Sequence, residues 1–489
     1  MSTLDEIKKV RHEKIALLEQ YGMQPFPARV PRDLSLDDMV HHFDAHLAQG
    51  NEQSITGRVM AIRGQGAINF VILQEGNVRF QVVFKKDTLD SALFELFTQA
   101  VDIGDTLSVT GTPFVTKRGE NSLLVSAWVM ASKSLAPLPE KWHGLQDTDE
   151  RYRKRYLDIL MNEELYILFQ KKAAFWSEMR SFLTERGFQE VETPTLEVTT
   201  GGAEANPFKT HHKDFDLDVY LRISVGELWQ KRLLAAGIPQ TFEIGRAYRN
   251  EGSSPDHLQE FTNMEFYMAY ADYRDGMQLV TELYRTLAQR VFGTTSFTTR
   301  GHSFDLADTW QEIDYRDEVL RQTGIDIITA SSDDMEQKLR ELGVTYQGTT
   351  RERLIDTLWK YCRKSISGPA FVMHHPKIVS PLSKTTMHNP ELTERFQVIL
   401  AGSEVGNGFS ELNDPREQRE RFEIQQALIA AGDEEAMMPE WEFVEMLEHG
   451  MPPACGFGVG ERFFAFLVDK PIREVQMFPL MKPREGEWW

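Results

Sequence analysis

Over the first 50 positions, apolar residues recur at near-helical spacing among charges, with Leu4, Ile7, Val10, Leu17 and Leu18 on one stripe, and predict a helical extension over 1–53. At Ser54 the period changes to alternation. SITGRVMAIRG, AINFVILQEG, VRFQVVFKKD, DTLSVTGTPFVT and NSLLVSAWVMASK read as five β-rich segments. Gly64, Gly66, Gly76 and the turn Asp102-Ile103-Gly104-Asp105 punctuate them, and an amphipathic helix is predicted near 89–100. Five strands with a helix between the third and fourth predict a small barrel over 54–133. Pro137 and Pro139 stop it, and a hinge over 134–160 carries the basic run RYRKRY into a helix.

Beyond the hinge the pattern mixes both periods. A helix over 166–186 ends at Gly187 and a short strand over 188–194 ends in Pro194. A glycine loop, Gly201-Gly202-Ala203, precedes LDVYLRISVGELWQKRLLAAG, where Glu227 stands just before an apolar helix. Two strands joined by a long loop fill 242–270. Helical patterns, DDMEQKLRELG the clearest, occupy 298–367. Strand-like runs return in VSPLSK, ERFQVILAG and SEVGNGFSELND, and a glycine-lined strand over 455–460 leads into a helix with Arg462 at its start. The expected class is α+β: an N-terminal five-stranded OB-fold β-barrel, then a domain with an antiparallel sheet flanked by helices over 161–489.

Composition narrows the chemistry. The 489 residues are 41% hydrophobic and 26% charged, enough for two or three globular domains, and no apolar run approaches a membrane span. The start, Met1 to Arg11, is charged and lacks the apolar core of an export signal. Cys362 and Cys455 stand far apart without metal spacing, so a reducing cytoplasm is expected. The doublets His41-His42, His211-His212 and His374-His375 cannot readily turn both rings to one ion. The net charge of −20 opposes broad binding to nucleic acid, yet 54–133 carries eight Lys or Arg against seven Asp or Glu, so a local face there can meet RNA. Neither a Walker A nor a Rossmann glycine motif is present.

Two stretches concentrate polar chemistry. The loop inside 242–270 gathers Arg249, Glu251, His257 and Glu260 around Gly252, Ser253, Ser254 and Pro255, a functional loop on a rigid platform or simply a solvated hairpin. The run SEVGNGFSELND sets Glu404 and Glu411 about a glycine-rich bend, which suits a compact cation with three donors, or an acidic loop before a helix start at Asp414-Pro415.

The first stretch, with R-N-E-G, the downstream H-x-x-E-F-T and M-E-F-Y-M-A-Y, resembles motif 2 of the class II aminoacyl-tRNA synthetases, and of these the lysine–tRNA ligases most. The helix, strand and proline over 166–194 resemble motif 1, the segment over 298–367 the variable insertion, and 455–483 motif 3; the barrel resembles the anticodon-binding domain of subclass IIb. The run G-S-E-V-G-N-G-F-S-E-L-N-D is the most specific likeness to the lysine enzymes.

This resemblance implies ATP-dependent activation of L-lysine to lysyl-adenylate, then transfer to the 3′ end of tRNA(Lys), by a cytoplasmic homodimer using Mg2+. It implies Arg249 and Arg462 as catalytic residues, and an ATP site of Arg249, Glu251, His257, Phe261, Glu404 and Arg462. Arg249 would bridge the lysine carboxylate and the α-phosphate, Glu251 meet the adenine amino group, Phe261 stack beneath the base, and His257 and Arg462 hold the outer phosphates. Lysine would meet Gly202 and Glu227 at its α-amino end and Glu411, helped by the Tyr267 hydroxyl, at its side chain. Glu265, Asn407 and Phe409 complete that set. Arg58, Phe70 and Gln81 would read the anticodon, and Glu404 with Gln397 would face the metal.

Three departures from the family pattern stand out: one extra residue before Glu227, Gln397 in place of a metal carboxylate, and Gly460 running directly into Glu461-Arg462. The competing expectations are an asparagine or aspartate ligase, a paralogue that lysylates protein or forms dinucleotide polyphosphates, and an inactive RNA-binding protein.

Overall fold

The change of period at Ser54 marks where helices give way to a barrel. The computed structural model describes residues 3–139, 145–202, 205–252, 254–255, 257–346, 348–432 and 436–484; 140–144 of the expected hinge, Ala203 and Ser253 lie outside the described residues. These fall into two compact units, one running to Leu168 with Pro483 and Arg484, the other Phe169–Lys482.

In the first unit, α1 (Leu4–Gln20) starts with a reciprocal capping box between Thr3 and Glu6, and α2 (Leu36–His41) and α3 (Phe43–Gln49) follow. Strands β1 (Gln53–Gln65), β2 (Ile68–Glu75), β3 (Val78–Lys85), β4 (Thr106–Val115) and β5 (Asn121–Ser132) close in the order β1-β2-β3-β5-β4. The pairing of β3 with β5 is parallel, and β4 closes the ring on β1. Alternation sends Val59, Val71, Leu73, Val82, Val109 and Leu123 into the interior with no exposed surface. Helix α4 (Ser91–Ala100) is capped by Asp90, and its Phe97 stacks on Phe84 at 3.9 Å. The turn Asp102–Asp105 is pinned by buried Lys133, whose ammonium donates to Asp102 at 2.6 Å and Asp105 at 2.8 Å.

The basic run divides between solvent and core. Helices α5 (Thr148–Arg153) and α6 (Arg155–Met161) hold it, and Arg155 is fully buried, paired with Asp158 at 2.9 Å. A buried guanidinium must be paired, so this residue is structural.

The second unit begins within α7 (Glu163–Glu185). The strand expected over 188–194 is only β6 (Gln189–Glu190); beyond it, the backbone and hydroxyl of Thr193 donate to Glu243 at 3.0 and 2.6 Å instead of joining a ladder. Strands β7 (Leu196–Glu197), β8 (Lys209–His212) and β9 (Leu217–Leu221) form a small sheet in the order β7-β9-β8. Helix α8 (Glu227–Ala235) then leads to β10 (Gln240–Tyr248), β11 (Glu260–Ala269) and α9 (Tyr273–Leu287). A hairpin, β12 (Ser296–Thr299) and β13 (His302–Asp305), precedes β14 (Gln311–Asp314).

The segment expected to be helical holds α10 (Tyr315–Thr323), α11 (Ser332–Glu341) and α12 (Arg351–Cys362), packed around Val319, Met335, Leu354 and Leu358. The remaining elements are β15 (Ala370–Met373), β16 (Arg395–Leu400), β17 (Ser403–Ser410), α13 (Pro415–Ala430), α14 (Trp441–Glu448), β18 (Ala454–Gly460) and α15 (Arg462–Leu467). The run VSPLSK, expected as strand, starts at the last residue of a 3-10 turn (Lys377–Val379) and continues as loop, with only an isolated bridge from Ser383 to Glu411. Its carbonyls are taken by guanidinium groups, Val379 by Arg395 at 2.6 Å and Ser380 and Ser383 by Arg421 at 2.8 and 2.7 Å, so no ladder needs them.

The large sheet runs β14-β15-β16-β17-β18-β11-β10-β6. Its interior pairs are antiparallel and the two end pairs, β14 with β15 and β10 with β6, are parallel. On one face Phe266, Phe396 and Phe457 are buried, Tyr284 of α9 stacks on Phe463 of α15 at 3.9 Å, and its hydroxyl donates to the Val405 carbonyl at 2.6 Å. Alternation turns Glu265, Tyr267, Asn407 and Phe409 to the opposite face.

Candidate active site

That opposite face is the floor of a cavity of about 390 Å³. Across the floor, Gly456 pairs with Tyr267 on one side and Phe409 on the other, and Gly458 pairs with Glu265 and Asn407. A side chain at 456 would run into the Tyr267 ring and the Glu411 carboxylate, so glycine is what lets polar groups of neighbouring strands converge. The α8 end is built the same way. Gly226, just before Glu227, has a φ of +73° and packs against Thr193 so closely that a side chain is excluded, and Glu227 is the first residue of the helix.

The cavity is bipolar. At one end stand Glu227, Glu265 and Glu411, at most 6% exposed. Glu265 accepts from the Val225 amide at 2.7 Å, the Asn263 amide at 3.0 Å and the Tyr267 hydroxyl at 2.9 Å. The Tyr267 hydroxyl, expected to help Glu411 at the lysine side chain, donates here to Glu265, its neighbour two residues away on the same strand face. Behind the wall, outside the cavity lining, Lys231 places its ammonium 2.8 Å from Glu227 and 2.6 Å from Glu411. Burial, the largest influence, pushes Glu411 up to about 8 against the pull of Lys231, and burial with the nearby Glu227 pushes Glu265 up to about 7. Three carboxylates thus share one ammonium, and burial favours the protonated form of Glu411 and Glu265.

The other end is cationic. Arg249 lies 5.3 Å from the Phe261 ring centroid and donates to the Ile223 carbonyl at 3.3 Å. His257 meets the Ser254 hydroxyl through Nδ1 at 2.7 Å, and Arg462 donates to the Glu404 carbonyl at 3.4 Å. Arg395, which the sequence reading missed, lines the wall and donates to Asn407 at 2.8 Å. The shortened approach to Arg462 is anchored by its neighbour: buried Glu461 accepts from the Thr262 amide at 2.9 Å, from Lys172 at 2.5 Å and from Gln476. A buried carboxylate with three donors holds this turn.

The residues expected to bind nucleotide and amino acid, Gly202, Glu251, Glu404 and Phe409 among them, all line this one cavity; Gln397 does not. Its carbonyl oxygen accepts from the Trp359 indole at 3.2 Å, and its amide nitrogen donates to Glu404 at 2.9 Å. An indole N–H can only donate, which fixes this orientation and turns the amide donor to Glu404. Among the described residues no cluster of three His, Cys, Asp or Glu side chains could hold a metal by itself. On the barrel, Phe70 is 38% exposed, Gln81 is held by the Ser122 hydroxyl at 2.8 Å, and Arg58 donates to the Gly104 carbonyl at 2.8 Å. Lys231, Asn263 and Arg395 escaped the sequence reading because a lone Lys, Asn or Arg on an amphipathic element looks like any solvated residue.

Comparison with known proteins places both halves of the chain. Residues 53–131 match the OB-fold nucleic acid binding domain and residues 147–482 match the tRNA synthetases class II (D, K and N). The chain is 40% identical to the lysine–tRNA ligase of Thermotoga maritima, across 99% of this chain and 97% of that protein. It is 41% identical to that of Moorella thermoacetica (98% and 99%) and 40% identical to that of a Roseiflexus species (99% and 100%). No helix among the described residues is long and apolar enough to cross a membrane. With a glycine-floored antiparallel sheet, a bipolar cavity and both domain matches in chain order, the protein belongs to the class II tRNA synthetases of the D, K and N group.

Proposed function

We propose that the protein is a lysine–tRNA ligase, which activates L-lysine with ATP to lysyl-adenylate and diphosphate and then transfers the lysyl group to tRNA(Lys), releasing AMP. The observation that carries this reading is the three-carboxylate end of the cavity facing the cationic end. A substrate with two ammonium groups and one carboxylate, beside a polyphosphate, matches that polarity from end to end. The relatives named above carry the same activity in their names.

The lysine carboxylate is already a nucleophile, so the protein's task is positioning and charge stabilisation. Glu227 and the Gly202 backbone receive the α-ammonium, and Glu411 the side-chain ammonium. Arg249 neutralises the carboxylate and the α-phosphate that it attacks, its guanidinium lying 5.3 Å from the centre of the Phe261 ring, which stacks beneath the adenine. His257 and Arg462 draw the outer phosphates away as diphosphate leaves, and Glu251 meets the adenine amino group. In the second step a ribose hydroxyl at the tRNA terminus attacks the lysyl carbonyl carbon, and AMP departs. Phe70, with Arg58 and Gln81, reads the anticodon on the barrel by stacking and edge contacts. The working form is a cytoplasmic homodimer.

The Glu404 carboxylate, with its side chain 30% exposed, fits Mg2+ carried on nucleotide phosphates, because that ion keeps water and phosphate ligands and needs only one or two carboxylates. When bound it offsets phosphate charge. Gln397 orients Glu404 from the side without adding charge. Gln397→Glu would set two carboxylates against each other where an amide now donates at 2.9 Å, with Arg363 at 3.7 Å from Glu404 as the nearby cation, an arrangement a further cation stabilises. The Mg2+ concentration for half-maximal exchange is expected to fall severalfold; an unmoved titration would place residue 397 outside the metal's reach.

The test of the whole reading is exchange of labelled diphosphate into ATP, run with each of the twenty amino acids, followed by charging of tRNA. Lysine alone should support exchange, and a comparable rate with aspartate or asparagine would refute the assignment. Phe70→Ala should leave exchange unchanged and weaken tRNA charging by about 5- to 100-fold, the range of one lost base stack. Equal loss in both assays would mean that Phe70 only supports the barrel.

A further inference from the structure

Lys231 has no role in the scheme above, although its setting is unusual for a lysine. It stands one helical turn after Glu227 on α8, is 1% exposed, and lies behind the cavity wall. Its ammonium is ringed by Phe409 at 5.2 Å, Tyr267 at 5.7 Å and Phe443 at 5.8 Å, which exclude water and favour a cation. It touches one oxygen of each of two carboxylates, Oε1 of Glu227 and Oε2 of Glu411.

The oxygens left over point the other way. Glu227 Oε2 turns to Gly202, 2.9 Å from where a side chain at 202 would begin, and Glu411 Oε1 turns to Gly456; both glycines line the cavity. Both Glu411 oxygens are buried without a hydrogen-bond partner among the described residues, and of the two only Oε2 has the Lys231 ion pair, at 2.6 Å. Leaving a buried carboxylate oxygen unpaired is costly, and a ligand donor there removes the cost. Once all three are ionised, Glu227, Glu265 and Glu411 against Lys231 leave two negative charges for incoming ammonium groups to meet.

We infer that Lys231 is a positioning residue for substrate selection: it pins Glu227 and Glu411 together so that each presents one free oxygen to the cavity, and sets the pocket's charge to match the two ammonium groups of a diamino acid. The inference rests on the reading that the anionic end receives lysine. A single buried cation thereby couples the two ends of the amino-acid subsite, so that recognition of the α-ammonium and of the side-chain ammonium shares one support. Burial, the largest influence on Lys231, favours the neutral amine, but Glu227 and Glu411 outweigh it and hold the ammonium above its ordinary value. Glu265 and Tyr267 from β11 and the Cys455 thiol from β18 complete the titratable groups that face the pair.

Lys231→Met keeps length and apolar stem and removes the charge. Without that charge Glu411 loses the pull that opposes its burial and keeps its proton to higher pH. Diphosphate exchange is measured with lysine and ATP varied separately, from about pH 6.5 to 9, on wild type, Lys231→Met and Lys231→Arg. The Met variant should raise the KM for lysine about tenfold or more at neutral pH, leave the KM for ATP within about twofold, and shift the pH dependence of the lysine KM upward. Lys231→Arg, which keeps the charge but not the contact geometry, should raise the lysine KM while its pH dependence stays in place. A normal lysine KM in either folded variant overturns the inference, as does a Met variant that changes both KM values with no shift in pH. Should the Met variant fail to fold, the Arg variant decides by the same criteria. A wild type indifferent to lysine overturns the function proposed above, and this inference with it; a lysine-dependent wild type with an unaffected Lys231→Met removes the inference alone.

Discussion

Glu411→Gln is expected to raise the KM for lysine by about 10- to 100-fold while the KM for ATP stays within about twofold. A charge-assisted hydrogen bond to a buried group contributes about 1.5–3 kcal/mol, which sets that range. Glutamine keeps the shape, yet it cannot neutralise an ammonium, and its amide would point a donor at a cation. The variant also releases Lys231 from one of its two partners. Selectivity should narrow at the same time. One methylene alters binding by only about 1 to 3 kcal/mol, so discrimination against uncharged analogues of similar length depends on the carboxylate. Exchange kinetics with lysine and norleucine check both points. If ATP binding is lost while lysine affinity stays normal, Glu411 belongs to the nucleotide end.

The second large effect is on pH. Burial pushes Glu411 up to about 8 and Glu265 up to about 7, so the free pocket holds protons through the neutral range. The groups facing them are Lys231 and Glu227 from α8, Tyr267 from β11 and Cys455 from β18. An incoming ammonium favours the ionised carboxylates, so lysine binding expels a proton. The sign follows: below the folded-state values each unit of pH lost weakens lysine binding, by up to about tenfold per proton released. Between about pH 6 and 8 the lysine KM should fall by about 10- to 100-fold while the ATP KM changes little. Calorimetric titration of lysine in two buffers of different ionisation enthalpy, near neutral pH, should report close to one proton released. A flat lysine KM across this range would show that the carboxylates are already ionised in the free pocket.

Much of the site was legible in order along the chain. Arg249, Glu251, Glu404, Glu411 and Arg462 sit in runs whose wording resembles one family, and each lines the cavity. The barrel was legible from alternation alone, because a strand with one buried face must repeat every two residues. The same logic failed for VSPLSK, whose apolar and small residues read as strand while its carbonyls are in fact committed to Arg395 and Arg421. It failed again at 188–194, where Thr193 bonds to Glu243 in place of a neighbouring strand.

By itself the sequence determined the order of elements, the barrel, the glycine stripe and the identity of the charged residues, since local period and residue type depend only on near neighbours. Three things waited for the tertiary structure. It decided that the Tyr267 hydroxyl serves Glu265, that Gln397 is turned by Trp359 to brace Glu404, and that Lys231 lies between Glu227 and Glu411. In each case the partners are distant in sequence or share a strand face whose other side is unknown until the sheet is assembled. Hydrogen-bond direction and shared charge arise only where side chains from several elements are buried together, and no period along the chain encodes that meeting.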